Sequence, residues 1–314
     1  MTFDPEIKEL IAYYIAASIP FAAYKLPDEK VMLTNDFEHE FIISKFINEG
    51  KNGIPESTDY GNYITNVSKL IDILKKRSGK TVISRTITGK IYRTAWADIA
   101  EQIFNKYPSA FCFIYYTPST GAWLGASPEV LIKADKENNF YTMSLAGTHA
   151  IGEQWDEKNI REQQIVTEFI SDTLHPLCSK IIIGDTKNLQ YGKIEHLCTC
   201  IKGKLLDNID VMTVIKQLSP TPAVAGYPRD VALKEIEQFE NHSRECYSGY
   251  IAIQNEYGIS AFVNLRCLQF TPQGDYCIYV GGGITAASTP ECEWEETNAK
   301  ASVLLSILND YTNV

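Results

Sequence analysis

Four glutamates stand close together near the C-terminus, at Glu291, Glu293, Glu295 and Glu296, where a helix is predicted to begin. Acidic side chains at a helix N-terminus are stabilised by the helix macrodipole, and that alone accounts for the cluster. Glu293 and Glu296 are three residues apart, however, so their carboxylates lie on one helical face. Magnesium binds carboxylate oxygens and usually keeps several waters. If Glu162, on a predicted central helix, adds a carboxylate, the set is typical of an open magnesium site.

Three consecutive glycines, Gly281, Gly282 and Gly283, end a predicted strand shortly before this helix. Glycine lets backbone N–H groups approach a ligand closely, so the run indicates either a binding surface or a tight turn. It is not a phosphate-binding loop, because no Gly-Lys-Ser/Thr follows. Its spacing also differs from that of a dinucleotide-binding fingerprint.

Three further residues have side chains that could do chemistry. Lys80 opens a predicted strand, and a partly buried lysine at such a position can act as a base. Arg266 lies in an otherwise apolar predicted strand, residues 262–270, where its charge is costly unless it meets a carboxylate. Thr221 stands between two prolines, which fix the loop that carries its hydroxyl. Each of these features alone is weak evidence for a function.

The elements that must position these residues alternate between strands and helices from residue 81 onward. Helices are predicted over residues 7–18, 92–107, 156–175, 211–218, 232–240 and 290–308, and strands over residues 41–43, 81–87, 110–116, 130–133, 141–145, 194–201, 247–254, 260–270 and 276–280. The last three strands follow one another through short turns, which predicts an antiparallel meander. Strands in hairpins together with long helices indicate an α+β fold, not a parallel doubly wound sheet.

The domain organisation depends on one loop. Residues 51–57 contain glycine and proline and form the most marked break in the chain. They predict a short N-terminal segment of the same fold over residues 1–60. The domain that carries the candidate site then covers residues 61–314.

The composition excludes several classes of function. The net charge of −10 argues against binding to nucleic acid or to anionic membranes, because the average surface repels phosphate. No window holds the ~18 apolar residues of a membrane span, and residues 1–20 lack the features of a signal peptide, so a cytoplasmic location is expected. The cysteines are expected to be reduced. His196, Cys198 and Cys200 share one face of a predicted strand. No CxxC pair or second histidine cluster completes four zinc ligands, so buried cysteines on a strand are the favoured interpretation.

Taken in order, the motifs of the chain resemble those of the chorismate-utilising enzymes, the family of isochorismate, salicylate, anthranilate and aminodeoxychorismate synthases. The resemblance runs from about residue 78 to the C-terminus and rests on Glu162, Arg266 and residues 79–85, 125–129, 146–148, 195–197, 219–224, 244–249, 281–284 and 293–300. It implies a sandwich of antiparallel sheets with helices outside. The active site is expected between the sheets.

The resemblance also implies a role for each residue that matches a family motif. Mg²⁺ is the expected cofactor, held by Glu162 and Glu296 with Glu293 close by, and it binds the ring carboxylate of chorismate. His196 matches a histidine beside that carboxylate. Further positions match substrate or metal-shell contacts, namely Ala146, Gly147, Thr148, Thr221, Tyr247, Arg266, Gly281, Gly282, Gly283 and Lys300.

The reaction that the resemblance implies is an addition at C2 of the ring while the C4 hydroxyl leaves. Hydroxide is a poor leaving group and water a poor nucleophile, so a general acid and a general base are needed. Glu129 matches the family's acid and Lys80 its base. Burial is expected to raise the pKa of Glu129 toward neutrality.

Two positions separate the branches of the family. The ammonia-using synthases carry glutamine where this chain has Lys80, and the aminodeoxychorismate branch carries a nucleophilic lysine where this chain has Ala146. Both favour an isochorismate synthase that acts on chorismate without a glutaminase subunit. A salicylate synthase, which goes on to eliminate pyruvate, shares these residues and stays open. A non-catalytic relative should have lost a metal or acid–base residue, and none is lost.

The chain departs from the family pattern at three positions. Gln163 stands where the family usually has histidine, His149 where it often has arginine, and Glu245 where it usually has glycine. None of these changes removes a named catalytic group, although they bear on the fine geometry of the site.

Overall fold

The computed structural model describes residues 3–46, 53–191 and 194–312. The helices are α1 (Pro5–Ala17), α2 (Tyr60–Leu74), α3 (Trp96–Lys106), α4 (Glu157–Leu174), α5 (Val211–Leu218), α6 (Arg229–Phe239) and α7 (Pro290–Leu308). The strands are β1 (Phe21–Lys25), β2 (Val31–Thr34), β3 (Phe41–Ile43), β4 (Lys80–Lys90), β5 (Phe111–Thr117), β6 (Gly121–Ser127), β7 (Val130–Asp135), β8 (Asn139–Ala150), β9 (Cys178–Tyr191), β10 (Ile194–Leu205), β11 (Gly226–Tyr227), β12 (Tyr250–Asn255), β13 (Gly258–Val263), β14 (Cys267–Phe270) and β15 (Asp275–Ile284).

These strands form two antiparallel sheets. One has the order β11-β4-β15-β14-β6-β5-β1-β2 and the other the order β3-β12-β13-β7-β8-β10-β9. The sheets pack face to face through aromatic side chains: the ring of Phe111 on β5 stacks on that of Phe262 on β13, with centroids 4.3 Å apart. The α+β sandwich predicted from the sequence is confirmed.

Strand β5 shows why the helices lie outside the sandwich. Successive side chains of a strand point to opposite faces. Phe113 and Tyr115 belong to the core between the sheets, whereas Cys112 and Ile114 belong to a core shared with α1, α3 and α7. On the second sheet, α4 and α5 cover the outer face in the same way. Both faces of the central strands are therefore buried, and helices must cover the outer ones.

The antiparallel pairing predicted for the C-terminal strands is confirmed, since β12 pairs with β13 and β14 pairs with β15, but a single continuous meander is wrong. The single strand expected over residues 260–270 is two strands, β13 and β14, which belong to different sheets. Arg266 lies between them and has a positive φ of 50°. A left-handed backbone at a residue other than glycine cannot continue a strand. Arg266 is therefore at the crossover from one sheet to the other, not within an apolar strand.

Five of the described strands were missed from the sequence, namely β1, β2, β6, β9 and β11. Strand β9 is a long edge strand whose side chains are mostly exposed, so it lacks the apolar alternation on which the prediction depended. Strand β6 begins with glycine and small residues, which are poor strand signals.

Residues before position 60 supply strands to both sheets. Strand β1 pairs with β5 and β3 pairs with β12. The division into segments 1–60 and 61–314 stays a prediction, and Lys51 and Asn52 of the predicted boundary loop lie outside the described residues. Within the described part of the chain, no helix has the length and apolarity needed to cross a bilayer.

Candidate active site

One cavity between the sheets brings together most of the residues singled out from the sequence. Those that line it are Glu129, Ala146, Gly147, Thr148, Glu162, His196, Tyr247, Arg266, Gly281 and Lys300. They come from β8, β10, β15, α4, α7 and the connections around β6, α6 and β14. Lys80, Thr221, Gly282, Gly283, Glu293 and Glu296 are not part of the lining and lie around it.

Glu129 lies in the short connection between β6 and β7. Its backbone N–H donates to Ser127 Oγ at 3.3 Å, and its carbonyl accepts from the Val263 N–H at 3.1 Å. The side chain is buried, with 3% of its surface exposed. Burial raises the pKa of Glu129 to about 8, against an opposing effect of the Lys80 charge. This carboxyl is therefore protonated at neutral pH and able to donate a proton.

Lys80 opens β4 and is fully buried. Its Nζ donates to Glu162 Oε1 at 2.9 Å. Burial acts to raise the pKa of Glu162, but the charges of Lys80 and Lys158 outweigh it and hold that pKa below its usual value. An ammonium that donates to a carboxylate cannot accept a proton. Lys80 can act as a base only after it has given up a proton, and its contact with the Glu162 carboxylate opposes that loss.

The two glutamates of α7 are also paired with lysines. Lys158 Nζ donates to Glu293 Oε1 at 2.6 Å, and Lys300 Nζ donates to Glu296 Oε1 at 2.6 Å. Burial raises the pKa of Glu293. Its second oxygen, Oε2, is buried and has no hydrogen-bond partner among the residues that the structure describes. The carboxylates are thus held by lysines, and within the described ranges no three acidic, histidine or cysteine side chains already converge as a metal-ligand set.

The glycine run is part of β15, fully paired with β4, so the tight-turn interpretation is wrong. A Cβ on Gly283 would lie 2.5 Å from Glu162 Oε1, and one on Gly282 would lie 3.0 Å from Glu293 Oε2. Any side chain would displace these carboxylates. The run therefore makes room for acidic side chains from two helices, α4 and α7.

His196 forms the opposite wall of the cavity. Its Nδ1 lies 2.8 Å from the Gly147 carbonyl oxygen, which can only accept, so Nδ1 carries the proton. Its Nε2 then accepts from Arg266 at 3.2 Å. Burial, helped by the Arg266 charge, lowers the pKa of His196 to about 3. The imidazole is neutral and fixed in one tautomer.

Thr221 lies in the connection between α5 and β11. It is buried, and its Oγ1 has no hydrogen-bond partner among the described residues. The predicted contact between Thr221 and the substrate therefore stays a prediction.

Two residues on the first turn of α4 were not identified as site residues from the sequence. Lys158 contacts Glu293, and Asn159 Oδ1 accepts from the Thr148 backbone N–H at 3.1 Å. Lys158 precedes Glu162 by four residues, so the two share a helical face. This four-residue spacing is the sequence signal from which Lys158 could have been identified.

The three departures from the family pattern all have local partners. Gln163 Nε2 donates to Thr199 Oγ1 at 2.6 Å and also reaches hydroxyls on β8 and α4. His149 stacks on Trp155 with ring centroids 3.6 Å apart. Glu245 accepts from Lys45 at 3.0 Å.

Comparison with known proteins gives one consistent result. The family model described as "Chorismate binding enzyme" matches residues 29–309. The isochorismate synthase EntC of Escherichia coli K12 is 27% identical over 274 residues, which cover 82% of this chain and 68% of EntC. The isochorismate synthase MenF of the same organism is 35% identical over 217 residues, which cover 63% of this chain and 48% of MenF.

Solved structures show the same fold. The crystal structure of DhbC from Bacillus anthracis superposes with a TM-score of 0.74 at 22% identity, covering 97% of this chain and 89% of DhbC. The structure of MenF, the menaquinone-specific isochorismate synthase of Escherichia coli, gives 0.72 at 26% identity and covers 83% of this chain and 65% of MenF. The chain thus spans about half to two thirds of the length of EntC and MenF.

Proposed function

The chain belongs to the chorismate binding enzymes, and from this premise we propose that it is an isochorismate synthase. The observation that carries the proposal is a buried carboxyl that lines the cavity, Glu129, with the buried lysine Lys80 near it. Glu129 has a pKa of about 8 because it is buried, and Lys80 lies close enough for its charge to act on that pKa. A lysine at position 80 and alanine at position 146 favour water over an amine as the nucleophile.

In the proposed reaction, water adds at C2 of chorismate and the C4 hydroxyl leaves. Glu129 donates its proton to the departing hydroxyl. Once Glu162 has turned to another partner, the Lys80 ammonium gives its proton to solvent, and the neutral amine then takes a proton from the attacking water. Positioned proton transfer of this kind contributes about 10²- to 10⁴-fold to a rate.

Chorismate carries two carboxylates, and the cavity offers cations to them despite the net charge of −10. Arg266 and Lys300 both line it. The Tyr247 hydroxyl lies 2.9 Å from the position a Gly281 Cβ would take, so the glycine leaves this corner open. Neutral His196 adds no positive charge, and its contacts fix Arg266 and the Gly147 carbonyl in place. We propose that these residues hold the two carboxylates of the substrate.

The residues present fit a magnesium ion. The donors are carboxylate oxygens, which Mg²⁺ prefers, and buried Glu293 Oε2 has no hydrogen-bond partner within the described part of the chain. We propose that Glu162 and Glu296 hold the ion, with Glu293 beside them. When bound, Mg²⁺ would neutralise the ring carboxylate and orient the ring. Withdrawal of Glu162 from Lys80 would remove the carboxylate that stabilises the ammonium form, so that Lys80 could lose its proton to solvent and serve as a base.

The test is incubation of the protein with chorismate and Mg²⁺, followed by chromatography of the products. Isochorismate should accumulate, EDTA should stop its formation, and added Mg²⁺ should restore it. Glu129→Gln is the control for contaminating activity, because it removes the proton donor with little change in shape. Salicylate with equimolar pyruvate would assign the chain to the salicylate branch. No turnover of chorismate under any of these conditions would refute the proposal.

A further inference from the structure

We infer that Lys158 is a counter-cation built into the carboxylate cluster, and that it lowers the intrinsic affinity of the cluster for a divalent cation. The inference rests on the proposed function, because Glu162, Glu293 and Glu296 are the proposed metal ligands. Nothing in the proposed acid–base chemistry uses Lys158.

The position of Lys158 links the two helices that supply the ligands. It lies on the first turn of α4, one turn before Glu162, so both side chains leave the same face of the helix. From there its Nζ reaches α7 and donates to Glu293 Oε1 at 2.6 Å. The side chain is mostly buried, with 16% of its surface exposed. It does not line the cavity, so its removal leaves the substrate-facing surface unchanged.

The charges of the cluster balance. Glu162, Glu293 and Glu296 each contact one ammonium, those of Lys80, Lys158 and Lys300 respectively, at 2.6 to 2.9 Å. The formal charge of this set is zero. A dication that approaches it therefore meets no net attraction and must also displace lysine donors from the oxygens that it needs.

The charge of Lys158 interacts with all three carboxylates. Burial acts to lower its pKa, but the charges of Glu293, Glu162 and Glu296 together raise it above the usual value. Removal of this one cation leaves three carboxylates against two lysines, which is a net charge of −1 beside the metal position. Metal affinity should then rise.

The same charge count bears on the order of binding. Chorismate brings two negative charges, which offset the two positive charges of the ion. A neutral cluster thus favours Mg²⁺ when the substrate is present, and it disfavours Mg²⁺ alone. Lys158 makes metal and substrate binding cooperative.

The experiment is titration calorimetry of Mg²⁺ alone into the metal-free full chain. Lys158→Met should bind Mg²⁺ at least about tenfold more tightly than wild type, as expected when one positive charge is removed next to a dication. Lys158→Arg keeps the charge and should keep the weak affinity. Lys216→Met removes an exposed lysine on α5 and should leave the affinity unchanged. If Lys158→Met does not fold by circular dichroism, Lys158→Gln takes its place.

Thermal unfolding provides the second measurement. Mg²⁺ alone should raise the Tm of Lys158→Met more than that of wild type. For wild type, Mg²⁺ and chorismate together should raise the Tm by more than the sum of their separate effects. Equal or weaker Mg²⁺ affinity in Lys158→Met, with wild type still binding the ion in the presence of chorismate, would overturn the inference and leave the proposed function standing. A wild type that binds no Mg²⁺ even with chorismate present would overturn the proposed metal site and this inference with it.

Discussion

Replacement of Glu129 by glutamine should make the protein more stable at neutral pH while it removes activity. Glu129 is buried, and its pKa in the folded state is about 8. In the unfolded chain it returns to an ordinary value near 4.5. As the pH rises above that value, the unfolded state loses its proton first, so the folded state binds more protons. Stability must therefore fall with increasing pH between these two values.

The magnitude follows from the size of the shift. Each unit of pKa difference corresponds to about 1.4 kcal/mol, so the wild type should lose about 2 to 3 kcal/mol between pH 5 and pH 7 because of this one group. Glutamine has nearly the same shape and no proton to lose. The stability of Glu129→Gln relative to wild type should thus increase by that amount over the same range, and the difference should be small at pH 5.

The assay is urea unfolding followed by far-UV circular dichroism at pH 5, 6 and 7, with EDTA present. Glu237→Gln on α6 is the matched control, because it makes the same substitution at an exposed glutamate. In the wild type, kcat/KM should also fall as the pH rises through about 8, because the acid loses its proton. A stability difference between Glu129→Gln and wild type that stays constant from pH 5 to pH 7 would refute the raised pKa. The physical basis for Glu129 as proton donor would be lost with it.

Three further predictions test the rest of the site. Lys80→Ala should lower kcat by about 10²-fold or more. It should also destabilise the protein, because Glu162 loses its buried partner. In urea unfolding, the double variant Lys80→Ala/Glu162→Gln should recover stability without recovering activity. Gly283→Ala should fold normally but lower Mg²⁺-dependent activity at least about tenfold, since its Cβ would lie 2.5 Å from Glu162 Oε1. Gly184→Ala on β9 is the control. Full activity in Gly283→Ala would argue against Glu162 as a metal ligand. Ala146→Lys should trap chorismate through attack of its amine on C2 with loss of the C4 hydroxyl, so intact-mass spectrometry should show an adduct of chorismate minus water; wild-type isochorismate production would contradict the placement of Ala146 beside C2.

Much of the fold could be predicted from the sequence because its signals are local. Helices α4 and α7 carry a 3.6-residue pattern and begin at clear start signals, Asp156 as N-cap and Pro290 in the first turn. Most strands showed β-rich runs bounded by glycine. Where the local signal failed, the prediction failed too. Strand β9 is mostly exposed, and the largely apolar run over residues 262–270 hid the break at Arg266.

The sequence by itself determined which chemical groups are present: an acid at 129, a lysine at 80, acidic residues on two helices and a glycine run. Only the tertiary structure decided their states. Lys80 and Glu162 are 82 residues apart in the chain, and Lys158 and Glu293 are 135 residues apart, yet each pair is in direct contact. The pKa values of Glu129 and His196 depend on burial between two sheets and on the charge of a distant residue. Desolvation and Coulomb interactions depend on distances in space, and no local pattern contains those distances until the sheets have packed.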